Sequence, residues 1–301
     1  RRKDHAVLML KSGKVIVAGG RSSGGGQRVP RLKSAELYDP ATGEWQYLAL
    51  MVNADLGREH PAATVLMDGR VLVTGGANSS NDPQKTTELY DPDSNTWTAG
   101  PKLKVWRWKH TQTLLPDGRV LVADGTINGR VMILDADLNY ETEFGRNGDG
   151  RGEFSRVHSL ATGPNGRIFV ADRDNRRVQV FNQTTRSPWY HPNISPIATW
   201  PGFDLPLDII VNEYNVFVTN VSSDGASIIK LDLNGNPEYT MALPTEGSGR
   251  FREMHSFAVD SNGVLYGADN QQGRIQKLVP KSDADPTLLI GQPYVVDPAD
   301  R

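Results

Sequence analysis

Short runs of alternating apolar and polar residues fill the chain, and Gly, Pro, Asn and Asp punctuate them. From Gly148 to Val180 the order is a glycine-rich lead-in, a histidine, a short apolar run, Pro-Asn-Gly, a second apolar run, a polar turn and a third alternating run. A period of two bounded by turn residues predicts strands, and strands joined by tight turns predict an antiparallel meander. No convincing amphipathic helix lies between these runs.

The same order recurs about every 50 residues. It begins at His5 (HAVLMLKSGKVIVAGG), His60 (HPAATVLMDGRVLVTGG), His110 (HTQTLLPDGRVLVADG), His158 (HSLATGPNGRIFVADR) and His255 (HSFAVDSNGVLYGADN), with a histidine-free copy from Leu207 (LDIIVNEYNVFVTN). Two more strand-like pieces follow each copy, such as SAELYDP with GEWQYLA, or RVQVFN with PIATWPG, and the last is PTLLIGQ, ending at Gln292. Six units of four short strands predict an all-β chain, a single six-bladed β-propeller of four-stranded antiparallel blades spanning residues 1–301. Radial packing of blades hides most strand edges.

Composition narrows the function classes. A hydrophobic content of 38% over 301 residues suffices for a large core. The net charge of −2, without long runs of one sign, argues against nucleic acid or an anionic membrane surface as partner. The absence of cysteine excludes disulfides, thiolate metal sites, cysteine nucleophiles and a copper-radical site that needs cysteine. No apolar run reaches the roughly 18 to 20 residues of a membrane-spanning helix. Four Asn-x-Ser/Thr sequons, at Asn78, Asn182, Asn193 and Asn220, permit glycosylation, and an extracytoplasmic or secreted location is expected. Arg1 lies just before the first strand, which reads as a processed or excised domain.

The inner strand of a blade lines the central channel, so histidines opening inner strands gather at one mouth. Each one alone is expected to hydrogen-bond a neighbouring blade. His60, His158 and His255, however, fall in alternate blades, where three imidazoles suit a divalent metal such as Zn with an open fourth position. Arg173, Arg176, Arg177 and Arg274 are expected in salt bridges between blades, and Trp106 and Trp108 in core packing. Asp149, Glu153, Asp172 and Asp174 lack calcium-loop spacing, Gly148–Gly152 lacks the Gly-Lys-Ser/Thr end of a phosphate loop, and no Gly-x-Ser-x-Gly elbow occurs.

Two resemblances add expectations. Residues 1–146, with Gly-Gly after the second strand, Glu-Leu-Tyr-Asp-Pro and Trp45 or Trp97, resemble kelch repeats; residues 147–301, with Gly-x-Phe, His and Val-Ala-Asp-x-x-Asn-x-Arg-Val-Gln-x-Phe, resemble NHL repeats. His158-Ser-Leu-Ala and Val170-Ala-Asp-Arg-Asp-Asn-Arg-Arg-Val-Gln resemble peptidyl-α-hydroxyglycine α-amidating lyase, a six-bladed propeller with an axial three-His zinc site. That resemblance implies zinc ligation by His158 and His255, with His60 by blade order, and catalytic roles for Arg173 and, more loosely, Arg21. The lyase's catalytic Tyr would fall where this chain reads Asp124-Gly125-Thr126, and threonine is no base near neutral pH. Two readings stand: a binding propeller for a peptide, glycan or protein ligand, with a His-lined mouth that holds a divalent metal, or a zinc-dependent lyase or hydrolase.

Overall fold

The computed structural model describes residues 2–22, 30–53, 57–124, 129–182, 195–244, 251, 254–259, 264–269 and 274–279. Apart from a two-stranded pairing of Arg2–Lys3 with Arg21–Ser22, its strands form six successive antiparallel blades of the β-propeller class. Blade 1 comprises Ala6–Met9, Val15–Ala18, Ala35–Asp39 and Glu44–Tyr47; blade 2 comprises Ala62–Val65, Val71–Thr74, Thr87–Asp91 and Thr96–Ala99. Blade 3 follows with Thr111–Leu114, Val120–Ala123, Val131–Leu134 and Tyr140–Phe144, and blade 4 with Val157–Gly163, Arg167–Asp172, Arg177–Asn182 and Ala198–Trp200. Blade 5 holds Pro206–Val211, Asn215–Ser222, Gly225–Asp232 and Pro237–Ala242, and blade 6 holds Met254–Val259, Leu265–Asp269 and Arg274–Leu278. The strand expected at PTLLIGQ lies outside the described residues. Blades 1 to 3 belong to one compact unit and blades 4 to 6 to a second, the division falling between Gly148 and Asp149.

Burial follows position within the blade. The second strands of blades 2 and 3 are covered on both faces: Val71–Thr74 and Val120–Ala123 are buried throughout and read as nearly continuous apolar runs. The outermost strand of blade 1, Glu44–Tyr47, is exposed throughout. Cores form where consecutive blades face each other. Leu10, Ile16 and Met51 of the first repeat pack on Val71, Tyr90 and Trp97 of the second. In the second unit Phe169, Val178 and Trp200 pack on Ile209, Val216 and Val218, and Phe217 and Ile228 pack on Met254 and Phe257.

In the first unit an arginine closes each kelch-like blade, fully buried in blades 2 and 3 and partly buried in blade 1. The Arg58 guanidinium donates to Glu88 Oε1 from Nε (3.1 Å) and Nη2 (2.9 Å), to the carbonyls of Gly75 (2.7 Å) and Thr86 (3.0 Å), and to Thr86 Oγ1 (2.8 Å). Arg2 repeats this in blade 1 with Glu36, Gly19 and Ser34. The glutamate opening Glu-Leu-Tyr-Asp is therefore the arginine's counter-ion. Blade 3 departs from the scheme. Met132 stands at the glutamate register, Asp124 stands at the glycine register, and Arg107 finds its carboxylate only at 3.8 Å. Gly75 is needed for close approach: φ is 55°, and a Cβ would stand 2.5 Å from the Arg107 carbonyl oxygen.

Candidate functional site

Strand pairing corrects the alignment of the histidines. His5, His110, His158 and His255 each precede the residue paired with Ala18, Ala123, Ala171 and Ala268 respectively. In blade 2 Ala62 pairs with Thr74, so that register belongs to Pro61 and His60 lies one residue earlier. There φ is 51°, matching Asp4 at 59° and Lys109 at 53° rather than the other histidines. Anchoring the repeats on Gly-Gly instead of on histidine exposes the offset in the sequence.

His60 stands among charges in the first unit. Its Nε2 is 3.9 Å from Asp4 Oδ1 and 3.8 Å from Glu59 Oε1, and its ring meets Trp108 edge-on at 6.3 Å. Burial lowers its pKa, with Asp4 opposing that shift. Asp4, Glu59 and His60 place ligand atoms within 4.8 Å of one another. Arginines already neutralise these carboxylates: Arg21 Nε lies 2.6 Å from Asp4 Oδ2 and 2.9 Å from Glu59 Oε1, while Arg31 Nη2 lies 2.6 Å from Glu59 Oε2. Arg21, one of the two arginines expected to meet substrate, thus spends its Nε on two carboxylates.

His110 follows the structural expectation. Its Nε2 meets Thr74 Oγ1 at 2.7 Å, and the Thr74 hydroxyl donates to Gln112 Oε1. The hydroxyl hydrogen is therefore committed, so Nε2 is the donor. Burial pushes the His110 pKa down to about 3. Of the tryptophans, Trp108 is half-buried under the Lys109 ammonium, while Trp106 is 38% exposed and departs from the expected core packing.

The second unit differs in its inner strands. All three carry a register irregularity at the histidine position: between Val157 and Ser159, between Pro206 and Ile209, and between Met254 and Ser256. The corresponding pairs of the first unit are regular. Bulges re-aim side chains, and here they bring His158 and His255 together with ring centroids 4.6 Å apart. His158 Nδ1 lies 2.7 Å from the Leu207 carbonyl oxygen. A carbonyl only accepts, so Nδ1 carries the proton and Nε2 keeps its lone pair. Burial, His255 and the guanidiniums of Arg173 and Arg156 push the His158 pKa down to about 3, against the pull of the Leu207 hydrogen bond. It is a neutral imidazole at ordinary pH.

Beside this pair, Arg173 donates from Nη1 to Asp174 Oδ1 at 2.9 Å, while its buried Nε has no hydrogen-bond partner among the described residues. Leu207 and Asp208 are site residues that the histidine pattern missed. Their only sequence signal is that this repeat lacks a histidine. Asp208 Oδ1 accepts from Ser159 Oγ at 2.8 Å and from the Ile209 amide at 3.0 Å, and Oδ2 accepts from the Phe257 amide at 3.2 Å. Removal from water raises its pKa against four hydrogen bonds, Ser256 supplying the fourth.

Arg177 is structural within its own blade. It donates to Asp172 Oδ2 (2.7 Å) and to the carbonyls of Asp149, Gly150 and Glu153, while Gln179 Nε2 joins the Glu153 carbonyl (2.7 Å). This clamp fastens the glycine-rich lead-in to the blade, where bridges between blades were expected. Arg176 is exposed. The Arg274 side chain, Gly125, Thr126 and Asn193 lie outside the described residues.

Comparison with known proteins places both repeat types on these blades. The Kelch motif matches residues 2–51 and 60–104, and the NHL repeat matches 154–181. The chain carries kelch and NHL repeats. The kelch match covers the strands of blades 1 and 2, with Arg2, Glu36 and Glu88 inside it and Arg58 just outside, and the NHL match runs from before the first strand into the third strand of blade 4, which Arg177 clamps. Human NHL repeat-containing protein 3 is 27% identical over 182 residues, 56% of this chain and 48% of that protein. Kelch-like protein 24 of Rattus norvegicus is 32% identical over 111 residues, 37% of this chain and 17% of that protein. A galactose oxidase of Gibberella zeae is 30% identical over 99 residues, 33% of this chain and 13% of that protein. The kelch–NHL chain spans about half the length of the NHL repeat-containing protein 3 relatives that it matches. Among the described residues, no helix is long and apolar enough to cross a membrane.

Proposed function

We propose that this kelch–NHL propeller is a protein- or peptide-binding module whose NHL-type unit holds its ligand at the His158–His255 mouth with the help of a divalent cation, zinc by donor type. The observation that supports this reading is the paired bulges, which set two imidazoles 4.6 Å apart while the Leu207 carbonyl takes the Nδ1 proton of one. An imidazole whose Nδ1–H is held by a backbone carbonyl is oriented to ligate through Nε2. A cation bound there supplies Lewis acidity and an open coordination position for a ligand oxygen. Arg173, its Nε buried and without a partner among the described residues, contributes a cationic contact for an anionic group of the ligand.

The test is retention of a peptide and glycan library by the whole chain, zinc-loaded and chelator-treated, beside His158→Ala and His255→Ala variants. The reading expects zinc-dependent retention of a peptide class that both variants lose. Retention indifferent to zinc and to both substitutions would refute it. A zinc-loaded chain that releases glyoxylate from a peptidyl-α-hydroxyglycine, above the His158→Ala background, would move the assignment from binding to lyase.

A further inference from the structure

The blade that lost its histidine supports the two that kept theirs. At the register of His158 and His255, blade 5 carries Leu207, followed by Asp208 where the neighbouring blades carry Ser159 and Ser256. The Leu207 carbonyl accepts His158 Nδ1–H at 2.7 Å. One carboxylate of Asp208 accepts Ser159 Oγ from blade 4 (2.8 Å) and the Phe257 amide from blade 6 (3.2 Å). The Asp208 amide is itself fixed by Thr219 Oγ1 at 2.8 Å. Each hydroxyl residue directly follows a histidine, so the carboxylate grips both bulged strands one residue from each imidazole.

We propose that Asp208 is a positioning residue for the His158–His255 site, holding the two bulges, and through Leu207 the His158 tautomer, in the arrangement that receives a cation. This rests on the cation-binding reading above, and it has a consequence observable without any cation. A bulge has lost regular ladder hydrogen bonds, so its geometry depends on side-chain support. Asp208 supplies that support to two bulges at once. Ordinary repeat packing requires no carboxylate at this register, since Ser159 and Ser256 occupy it in the flanking blades.

The test uses the full chain and Co2+ as probe, with imidazole 15N NMR as a second readout. In the cation-free wild type, His158 is expected to show a single Nδ1–H tautomer. In Asp208→Ala that signal is expected to broaden or shift toward a mixture, and Co2+ affinity to fall about 10- to 100-fold, the usual effect of losing an outer-shell partner. Asp208→Asn, which keeps one acceptor oxygen, is expected to lose less. Should Asp208→Ala fail to fold, Ser159→Ala and Ser256→Ala carry the test, each weakening Co2+ binding by about 3- to 10-fold, the equivalent of one hydrogen bond. A folded Asp208→Ala chain with unchanged tautomer and unchanged Co2+ affinity overturns the proposal. A wild type that ignores Co2+ while its His158 tautomer still depends on Asp208 overturns the cation reading alone.

Discussion

Replacing Glu88 by Met gives blade 2 the methionine that blade 3 carries at this register, without the Asp124 carboxylate that stands near Arg107 there. Arg58 and Glu88 side chains are both 0% exposed, and Glu88 also accepts the Val52 amide at 2.6 Å through Oε2. Removing one partner of a buried pair leaves an uncompensated charge and costs about 3–5 kcal/mol. Arg58 keeps three acceptors, on Gly75 and Thr86, so the low end, about 3 kcal/mol, is expected for Glu88→Met. Glu36→Met in blade 1, where the glutamate is 27% exposed, should cost about 1 kcal/mol. The reverse change, Met132→Glu, offers an acceptor to Arg107, whose Nε and Nη1 are buried without hydrogen-bond partners among the described residues. Desolvating the new carboxylate offsets much of that gain, leaving about 1 kcal/mol of stabilisation. Urea unfolding followed by tryptophan fluorescence and circular dichroism gives all three values. A Glu88→Met cost below about 1 kcal/mol, or equal costs at Glu88 and Glu36, would refute the view that burial of the pair sets its contribution.

Other expectations follow from burial and backbone geometry. His110 titrates near 3 when folded and near 6.5 when unfolded, so its stabilising contribution is complete above 6.5 and declines as pH falls toward 3. Between pH 6.5 and 5 the loss is about 2 kcal/mol, and denaturation curves of the wild type and His110→Gln should differ by that amount of pH dependence. Trp97 is 5% exposed and its repeat partner Trp45 is 57% exposed, so thermal unfolding should rank Trp97→Ala, at about 3–5 kcal/mol, far above Trp45→Ala. Gly75→Ala forces a Cβ against a backbone carbonyl at positive φ and should cost more than about 1 kcal/mol, whereas alanine at the unobstructed Gly13 should cost no more than about 1 kcal/mol.

The blades were legible because two-sided burial of second strands leaves apolar runs such as Val71–Thr74, and because Gly-Gly and Asn-Gly turns punctuate them. The glutamate of Glu-Leu-Tyr-Asp was visible as a repeat feature, but its partner was not: Arg58 precedes it by 30 residues and meets it only through folding. Histidine spacing grouped His60 with His158 and His255, yet His60 stands off their register, because one residue more separates it from Ala62 than a shared register requires. Bulges have no composition signature, so neither the turning of His158 toward His255 nor the support from Asp208 could be read from the sequence. Sequons were equally blind to context. Asn220 is 7% exposed and accepts the amides of Asp204 (2.8 Å) and Leu205 (3.1 Å), which makes it a structural residue.

Isothermal titration of Zn2+ into the full chain at neutral pH, beside His158→Gln and His255→Gln, tests the central claim most directly. The His158–His255 account expects a saturable site that either substitution weakens by about tenfold or more, with the fold unchanged. Absence of saturable binding to the wild type, or binding that survives both substitutions undiminished, would contradict it.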